Sequence, residues 1–475
     1  MKVTPGIHRL PPIGKFSFCA IIAVVLWQFD TLFDVSPQGW HIFSVFMAVI
    51  ISFILRPYPM GMMVLISLIT LVATKNISLK ESLSGFGDTT VWLVISAFLI
   101  AGAVLDTGFG RRVSLWLVVK LGKSLKGLAY AVCGSEFLLG PVIPSNTARG
   151  GGIHAPIVNS LSHSLGSTPS HHPERAGRFL SLVGSHANLI AASMYMTGMA
   201  ANPLVSRAAE DIFGVEFGWG TWALGAILPG VLSLLLLPQL IYRLTRPGLK
   251  DGRAAQRAAR EELAAIGGMS GKEKVMMTVL ILMLGLWSTS FLHGMSTALV
   301  AWLGVLALLL SGTQTWEDII GNDRAWDTLI WLGGLLTMAN MLSDYGFIEW
   351  FVRRLEMVVA GMSGLLVVIT LGIFYFYSMY AFSMLTAHIA AMAAPFLAVC
   401  LAAGAEPMIA IAVIAYFSCL CGCTTNYSSG PVIIYFGLGY VPASGWFNIG
   451  FIVSLFHLAL WIGSGLLWWK ILGWW

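Results

Sequence analysis

The chain has 475 residues, is 57% hydrophobic and 10% charged, and has a mean hydropathy of +0.81. Soluble proteins carry about 25% charged residues, so a soluble enzyme and a nucleic-acid-binding protein are both excluded in favour of a polytopic membrane protein. The net charge of +5 matters mainly through where the Lys and Arg sit, because their bias fixes orientation.

A span takes about 20 apolar residues, which leaves room for roughly ten or eleven. Apolar runs at 14–34, 39–56 and 58–74 come first, with Pro57, Pro59 and Gly61 turning the chain between the second and third. Lys2, Arg9 and Lys15 lead into the first run with no small-residue cleavage site, so a cleaved signal peptide is not expected. A short amphipathic piece at 79–88 precedes a span at 91–104. A break at Gly108-Phe109-Gly110-Arg111-Arg112 then leads to an amphipathic helix near 114–121.

Two apolar runs follow, 127–143 and 153–161, too short together for two spans at about 1.5 Å per helical residue. Between them lies Pro144-Ser145-Asn146-Thr147-Ala148-Arg149-Gly150-Gly151-Gly152. Lipid cannot hydrogen-bond irregular backbone, so such a stretch needs protein or a wet cavity around it. We read a re-entrant hairpin over 127–161 with a polar tip. Residues 162–178 read as a solvated loop, with His163, His171 and His172 in it. The run at 179–208 is interrupted by Thr197 to Pro203, which predicts an unwound helix. A span at 219–241 leads into the basic segment 243–274, placed in the cytoplasm with the N-terminus by the positive-inside rule.

The second half repeats the first. Asp88-Thr89-Thr90-Val91-Trp92-Leu93 matches Asp327-Thr328-Leu329-Ile330-Trp331-Leu332, and Thr147-Ala148-Arg149 matches Thr386-Ala387-His388, both at an offset of 239. The second tip, Phe382-Ser383-Met384-Leu385-Thr386-Ala387-His388, lies inside a hairpin at 364–403. Asn426 to Pro431 interrupt the run 409–440, and the last span, 445–469, ends in a tryptophan cluster (Trp468, Trp469, Trp474, Trp475) expected at the membrane interface. The chain thus divides into N-terminal spans (1–90), a first repeat (91–208), a span with the basic loop (209–275), further spans (276–326), a second repeat (327–440) and a last span (441–475). Two halves that each hold a hairpin and a broken helix point to an all-α secondary transporter with inverted repeats.

Hairpin tips and half-helix N-termini favour anions. Ser145, Thr147 and Thr386 add hydroxyls, Asn146 an amide, and Arg149 a fork that matches carboxylate. Thr197 and Asn202 in one break, and Ser428, Ser429, Gly430 and Pro431 in the other, complete the candidate substrate site with His388. The other reading of Arg149 is a structural pair with a buried acid such as Glu136, and the other reading of His388 is packing. Cys419, Cys421 and Cys423 read as packing residues, since no His or carboxylate cluster adjoins them. No HExxH, P-loop or GxSxG occurs, so an enzyme is not expected.

With these residues the chain resembles the divalent anion/sodium symporter superfamily over nearly its full length. Ser145-Asn146-Thr147-Ala148-Arg149-Gly150-Gly151-Gly152, Ser429-Gly430-Pro431 and Tyr435-Phe436-Gly437 resemble the branch holding citrate/succinate and tartrate/succinate antiporters and plastid 2-oxoglutarate/malate translocators. The resemblance implies an elevator-type homodimer in a bacterial cytoplasmic membrane, moving di- and tricarboxylates such as succinate, malate, 2-oxoglutarate, tartrate or citrate. Sodium-coupled members carry Ser-Asn-Thr in both hairpins, whereas here the second aligns Met384-Leu385-Thr386. Sodium at Ser145, Asn146 and Gly198 remains as the alternative, a sodium-coupled symporter of the same fold. The favoured expectation is sodium-independent exchange, in which Arg149 and His388 act as fixed positive charges that the substrate balances and the empty carrier cannot easily move.

Overall fold

The computed structural model describes residues 11–30, 34–359, 361–382 and 384–475. Lys2, Arg9 and Ser383 lie outside them. Among the described residues seven helices are long and apolar enough to cross a membrane, and three shorter apolar helices accompany them (Pro12–Trp27, Met60–Ala73 and Thr297–Leu310). The protein is an integral, multi-pass, all-α membrane protein.

Helix starts follow local chemistry. Ser36, Asp88, Ser124, Ser270 and Ser296 each accept a hydrogen bond from a first-turn backbone N–H, which satisfies a donor the helix itself cannot. Proline opens the second half of both broken helices, as Pro203 and Pro431, where its missing N–H costs nothing.

The first hairpin runs out through Leu125–Leu139, turns at 140–146, and returns through a wide π-helical stretch, Thr147–His154, into Ala155–Ser164. The second runs out through Gly364–Ser378 and returns through Leu385–Ala402. The first broken helix is Gly177–Met194 followed by Asn202–Phe213; the second is Pro407–Leu420 followed by Gly430–Gly437. Their first halves pack on each other, and their second halves cross over. Asn202–Phe213 packs on the return helix of the second hairpin, and Gly430–Gly437 on the π-helical tip of the first. This exchange binds the two repeats into one unit.

Two expectations need correcting. The basic segment is not simply a charged loop, because it contains an amphipathic helix, Arg253–Ile266, that packs on the arm helix Phe109–Leu121 and on Ala155–Ser164. The tryptophan cluster is only partly a surface belt. Trp469 is buried and its indole N–H donates to the Gly225 carbonyl at 2.9 Å. Pro229, four residues on inside the helix Trp219–Thr245, has no N–H to offer that carbonyl. Trp474 stacks on Trp469, while Trp475 is exposed at the surface.

Candidate substrate site

The first tip is held from below by one carboxylate. Glu136, on the outgoing helix, accepts from Arg149 Nε at 2.6 Å, from His154 Nδ1 at 2.7 Å and from Asn188 Nδ2 at 3.0 and 3.1 Å. All four side chains are buried. A buried carboxylate needs this much company, since losing hydration costs several kcal/mol per ion. Asn188 also donates to the Asn146 carbonyl at 3.2 Å, so the first broken helix, the outgoing helix and the tip meet at one node. Glu136 and Asn188 are legible in the sequence as polar residues within apolar runs, but nothing in their spacing shows that they converge.

Arg149 is therefore not an open fork at the tip. Its Nη1 donates to the carbonyls of Ile143 (2.6 Å) and Gly198 (3.1 Å); only Nη2 is buried with no partner among the described residues. The Gly198 carbonyl already accepts from a guanidinium, and the Ser145 hydroxyl accepts from the Ala148 N–H at 3.1 Å. Each of these oxygens keeps a second lone pair, but a sodium ion held by them would stand beside the Arg149 guanidinium. At the second tip the Met384 and Leu385 side chains supply no oxygen.

His388 is a correction to the fixed-charge expectation. Its Nε2 lies 3.1 Å from the Tyr375 carbonyl and 2.8 Å from Ser378 Oγ, and its Nδ1 faces the Cys421 thiol at 3.8 Å. A carbonyl only accepts, so Nε2 carries the proton, and Nδ1 is left to accept from the thiol. No carboxylate adjoins the ring among the described residues, so a charge on it would have no counter-ion there, and the contacts it makes are those of a neutral imidazole.

Thr197 and Asn202 also turn inward. Thr197 Oγ1 donates to the Pro141 carbonyl at 2.6 Å and accepts from Trp219 Nε1 at 2.9 Å. Asn202 Nδ2 donates to the carbonyls of Ala192 and Tyr195, and its Oδ1 accepts from Cys419. Both side chains are occupied in closing the first break.

The second break joins the two tips. The Ser428 carbonyl accepts from the Leu385 N–H at 2.8 Å, and the Ser428 hydroxyl is turned back onto the Gly422 carbonyl at 2.6 Å. Gly430 lies so close to Thr147 that a Cβ there would overlap its hydroxyl, and Gly150 abuts Asn188 and Pro431. The three tip glycines are thus not all free for a ligand: Gly150 and Gly151 pack against the second broken helix, while Gly152 faces open space.

What remains uncommitted is a set of donors. Asn146 Nδ2, Arg149 Nη2 and Ser429 Oγ have no partner among the described residues. Neither the Thr147 nor the Thr386 hydroxyl makes a hydrogen bond there, and both side chains are half-buried. The N-termini of Leu385–Ala402 and Gly430–Gly437 carry no side-chain cap. Unpartnered donors beside uncapped helix N-termini are suited to an anion.

The fold and this site define a membrane transporter built on two hairpins and two broken helices. The chain matches the sodium:sulfate symporter transmembrane region family over residues 13–475 and belongs to that family. It is 42% identical to a putative malate transporter, YflS, of Bacillus subtilis, over 96% of this chain and 95% of that one. It is 33% identical to an L-tartrate/succinate antiporter of Shigella flexneri, over 97% of both. The crystal structure of the Alcanivorax borkumensis YdaH transporter shares the fold, with a TM-score of 0.59 at 14% identity, covering 85% of this chain and 89% of that one. The protein is a transporter, not an enzyme.

Proposed function

We propose that this protein is a secondary active exchanger of di- and tricarboxylate anions that works without sodium. It acts as a homodimer in a bacterial cytoplasmic membrane, with the basic segment and the N-terminus in the cytoplasm, and carries its substrate by an elevator movement of the two hairpins and broken helices. The observation that carries this reading is the junction at Ser428–Gly430, where both tips bring uncommitted donors together while the Gly198 oxygen that sodium would need is already bonded to Arg149. The names of the relatives, a malate transporter and a tartrate/succinate antiporter, favour the same substrate class.

The basis for exchange differs from a fixed-charge scheme, because Glu136 balances Arg149. A bound dianion would satisfy Asn146, Arg149 Nη2, Ser429, Thr147 and Thr386. An unsatisfied buried donor costs about 1–3 kcal/mol, so moving the site empty would add a barrier on the order of 4 kcal/mol. At about 1.36 kcal/mol per decade, return of the empty carrier is slowed roughly a thousandfold.

The test is uptake of labelled succinate into liposomes holding the purified protein. Uptake is expected only with a dicarboxylate inside, and at the same rate when choline replaces sodium. Robust uptake into vesicles without internal substrate, driven by a sodium gradient, would favour the sodium-coupled symporter instead. Flux without counter-substrate and far above carrier rates would indicate a channel.

A further inference from the structure

Two cavities flank the hairpins, and the internal repeat relates them. The first, about 390 Å³, lies between the end of Thr89–Asp106, the arm helix Phe109–Leu121, the return side of the first hairpin and the amphipathic helix Arg253–Ile266. The second, about 320 Å³, is bounded by the repeat counterparts: the end of Asp323–Asp344, the helix Phe347–Val359 and the return helix of the second hairpin. Gly108 and Gly346, which turn with φ of 73° and 76°, mark the matching corners. Gly152 and Pro156 line the first cavity where Ala391 and Pro395 line the second.

Their chemistry differs. The second is walled by aromatic rings, among them Phe43, Phe347 and Phe351, and its Arg207 pairs with Asp211 on the same helix and is 28% exposed. The first has Arg111 and Glu262 in its wall, contributed by two different helices. Arg111 Nε donates to Glu262 Oε1 at 2.7 Å, and Nη2 lies 2.6 Å from the same oxygen. Both contacts run to one oxygen, so this is not the parallel two-oxygen fork that makes Arg–carboxylate pairs strong. The Arg111 side chain is 61% exposed, and exposed pairs contribute little. Inside the cavity, Gly110 packs on Ile153 while Gly152 faces open space, so the arm helix leans on the tip and leaves a gap beside it.

We propose that this cavity is an access site for the carboxylate substrate on the face that carries the basic segment. One carboxylate of the incoming acid takes Arg111 from Glu262, which holds the acid beside Gly152 at the back of the tip. The proposal rests on the carboxylate-exchange reading above and adds a sidedness to it.

The experiment is exchange of labelled succinate in proteoliposomes of uniform orientation, assayed separately at each face. With Arg111→Gln, KM at the face carrying Arg253–Ile266 should rise about threefold to tenfold, the range of an exposed charge-assisted pair, with kcat and the KM at the other face unchanged. With Glu262→Gln, which frees Arg111, KM at that face should fall. If Arg111→Gln does not fold, Glu262→Gln decides alone. Variants that lower kcat equally at both faces with KM fixed, or that change nothing, overturn the proposal, since the pair then only fastens the amphipathic helix to the arm. A wild-type protein that exchanges no carboxylate would instead overturn the reading beneath it.

Discussion

Arg149 and Glu136 stand on opposite limbs of the first hairpin and form an ion pair of 2.6 Å in which neither side chain has any solvent exposure. The pair sets the shape of the tip, because the same guanidinium also holds the carbonyls of Ile143 and Gly198. It also removes the bare cation that the position of Arg149 in the motif suggests. With Arg149 balanced by Glu136, the tip itself adds no net positive charge, and recognition of an anion there falls to the unpartnered donors.

Replacing Arg149 with Ala leaves Glu136 buried with His154 and Asn188 alone. Removing one partner of a buried pair costs about 3–5 kcal/mol, so the variant should melt well below wild type in detergent and show no exchange. The double variant Glu136→Gln, Arg149→Gln removes both charges, and its melting temperature should recover much of the loss. Exchange should stay absent, because the bonds to Ile143 and Gly198 and the Nη2 donor are gone. A double variant no more stable than Arg149→Ala would show that the pair is not what holds the hairpin.

Thr147 and Thr386 occupy equivalent places in the two repeats, and their hydroxyls are uncommitted among the described residues. Thr→Val at either position keeps the shape and removes only the hydroxyl. Each substitution should raise the KM for succinate by about fivefold to thirtyfold, as expected for about 1–2 kcal/mol of hydrogen bonding to a charged ligand, with melting temperature unchanged. An unchanged KM in both variants would move the substrate away from the tips.

His388→Gln tests whether the histidine carries charge. The Gln amide can donate to the Tyr375 carbonyl as the ring nitrogen does, but it cannot be positive. Exchange should remain within about threefold of wild type, the cost of a modest hydrogen-bond mismatch. Complete loss of exchange in a folded variant would restore the view that His388 is a fixed cation.

The fold is largely open to reading because its signals are periodic and local. Runs of apolar residues, Pro and Gly at the breaks, and the offset of 239 residues between Thr147-Ala148-Arg149 and Thr386-Ala387-His388 locate both hairpins and both broken helices. The site is open only in part, because partner choice is set in three dimensions. Glu136 is thirteen residues from Arg149 in the chain, and Asn188 is fifty-two from Glu136. Their convergence depends on how the broken helix packs on the hairpin. Arg253–Ile266 escapes a sequence reading for a different reason: its high charge masks the small apolar face, Ala255 and Ala259, that docks it.

Gly430 offers the sharpest local test, because it joins the second broken helix to the first tip. A Cβ at this position would overlap the Thr147 hydroxyl and lie 2.7 Å from its methyl carbon. Thr147 is short and sits at the start of the π-helical stretch, so it has little room to yield. Gly430→Ala must therefore push the tip away from Gly430–Gly437 or rotate Thr147 out of the junction, and either displaces a donor of the proposed substrate site. Overpacking of this kind costs about 1–3 kcal/mol, so the variant should fold but lose exchange at least tenfold. At Gly437, the far end of the same half-helix, a Cβ would meet nothing within 4 Å. Gly437→Ala should keep full exchange and gain a few tenths of a kcal/mol to about 1 kcal/mol from helix propensity. Pairing Gly430→Ala with Thr147→Ser, which removes the crowding methyl but keeps a hydroxyl, should restore part of the lost exchange; failure of that rescue would separate the close approach at Gly430 from substrate binding.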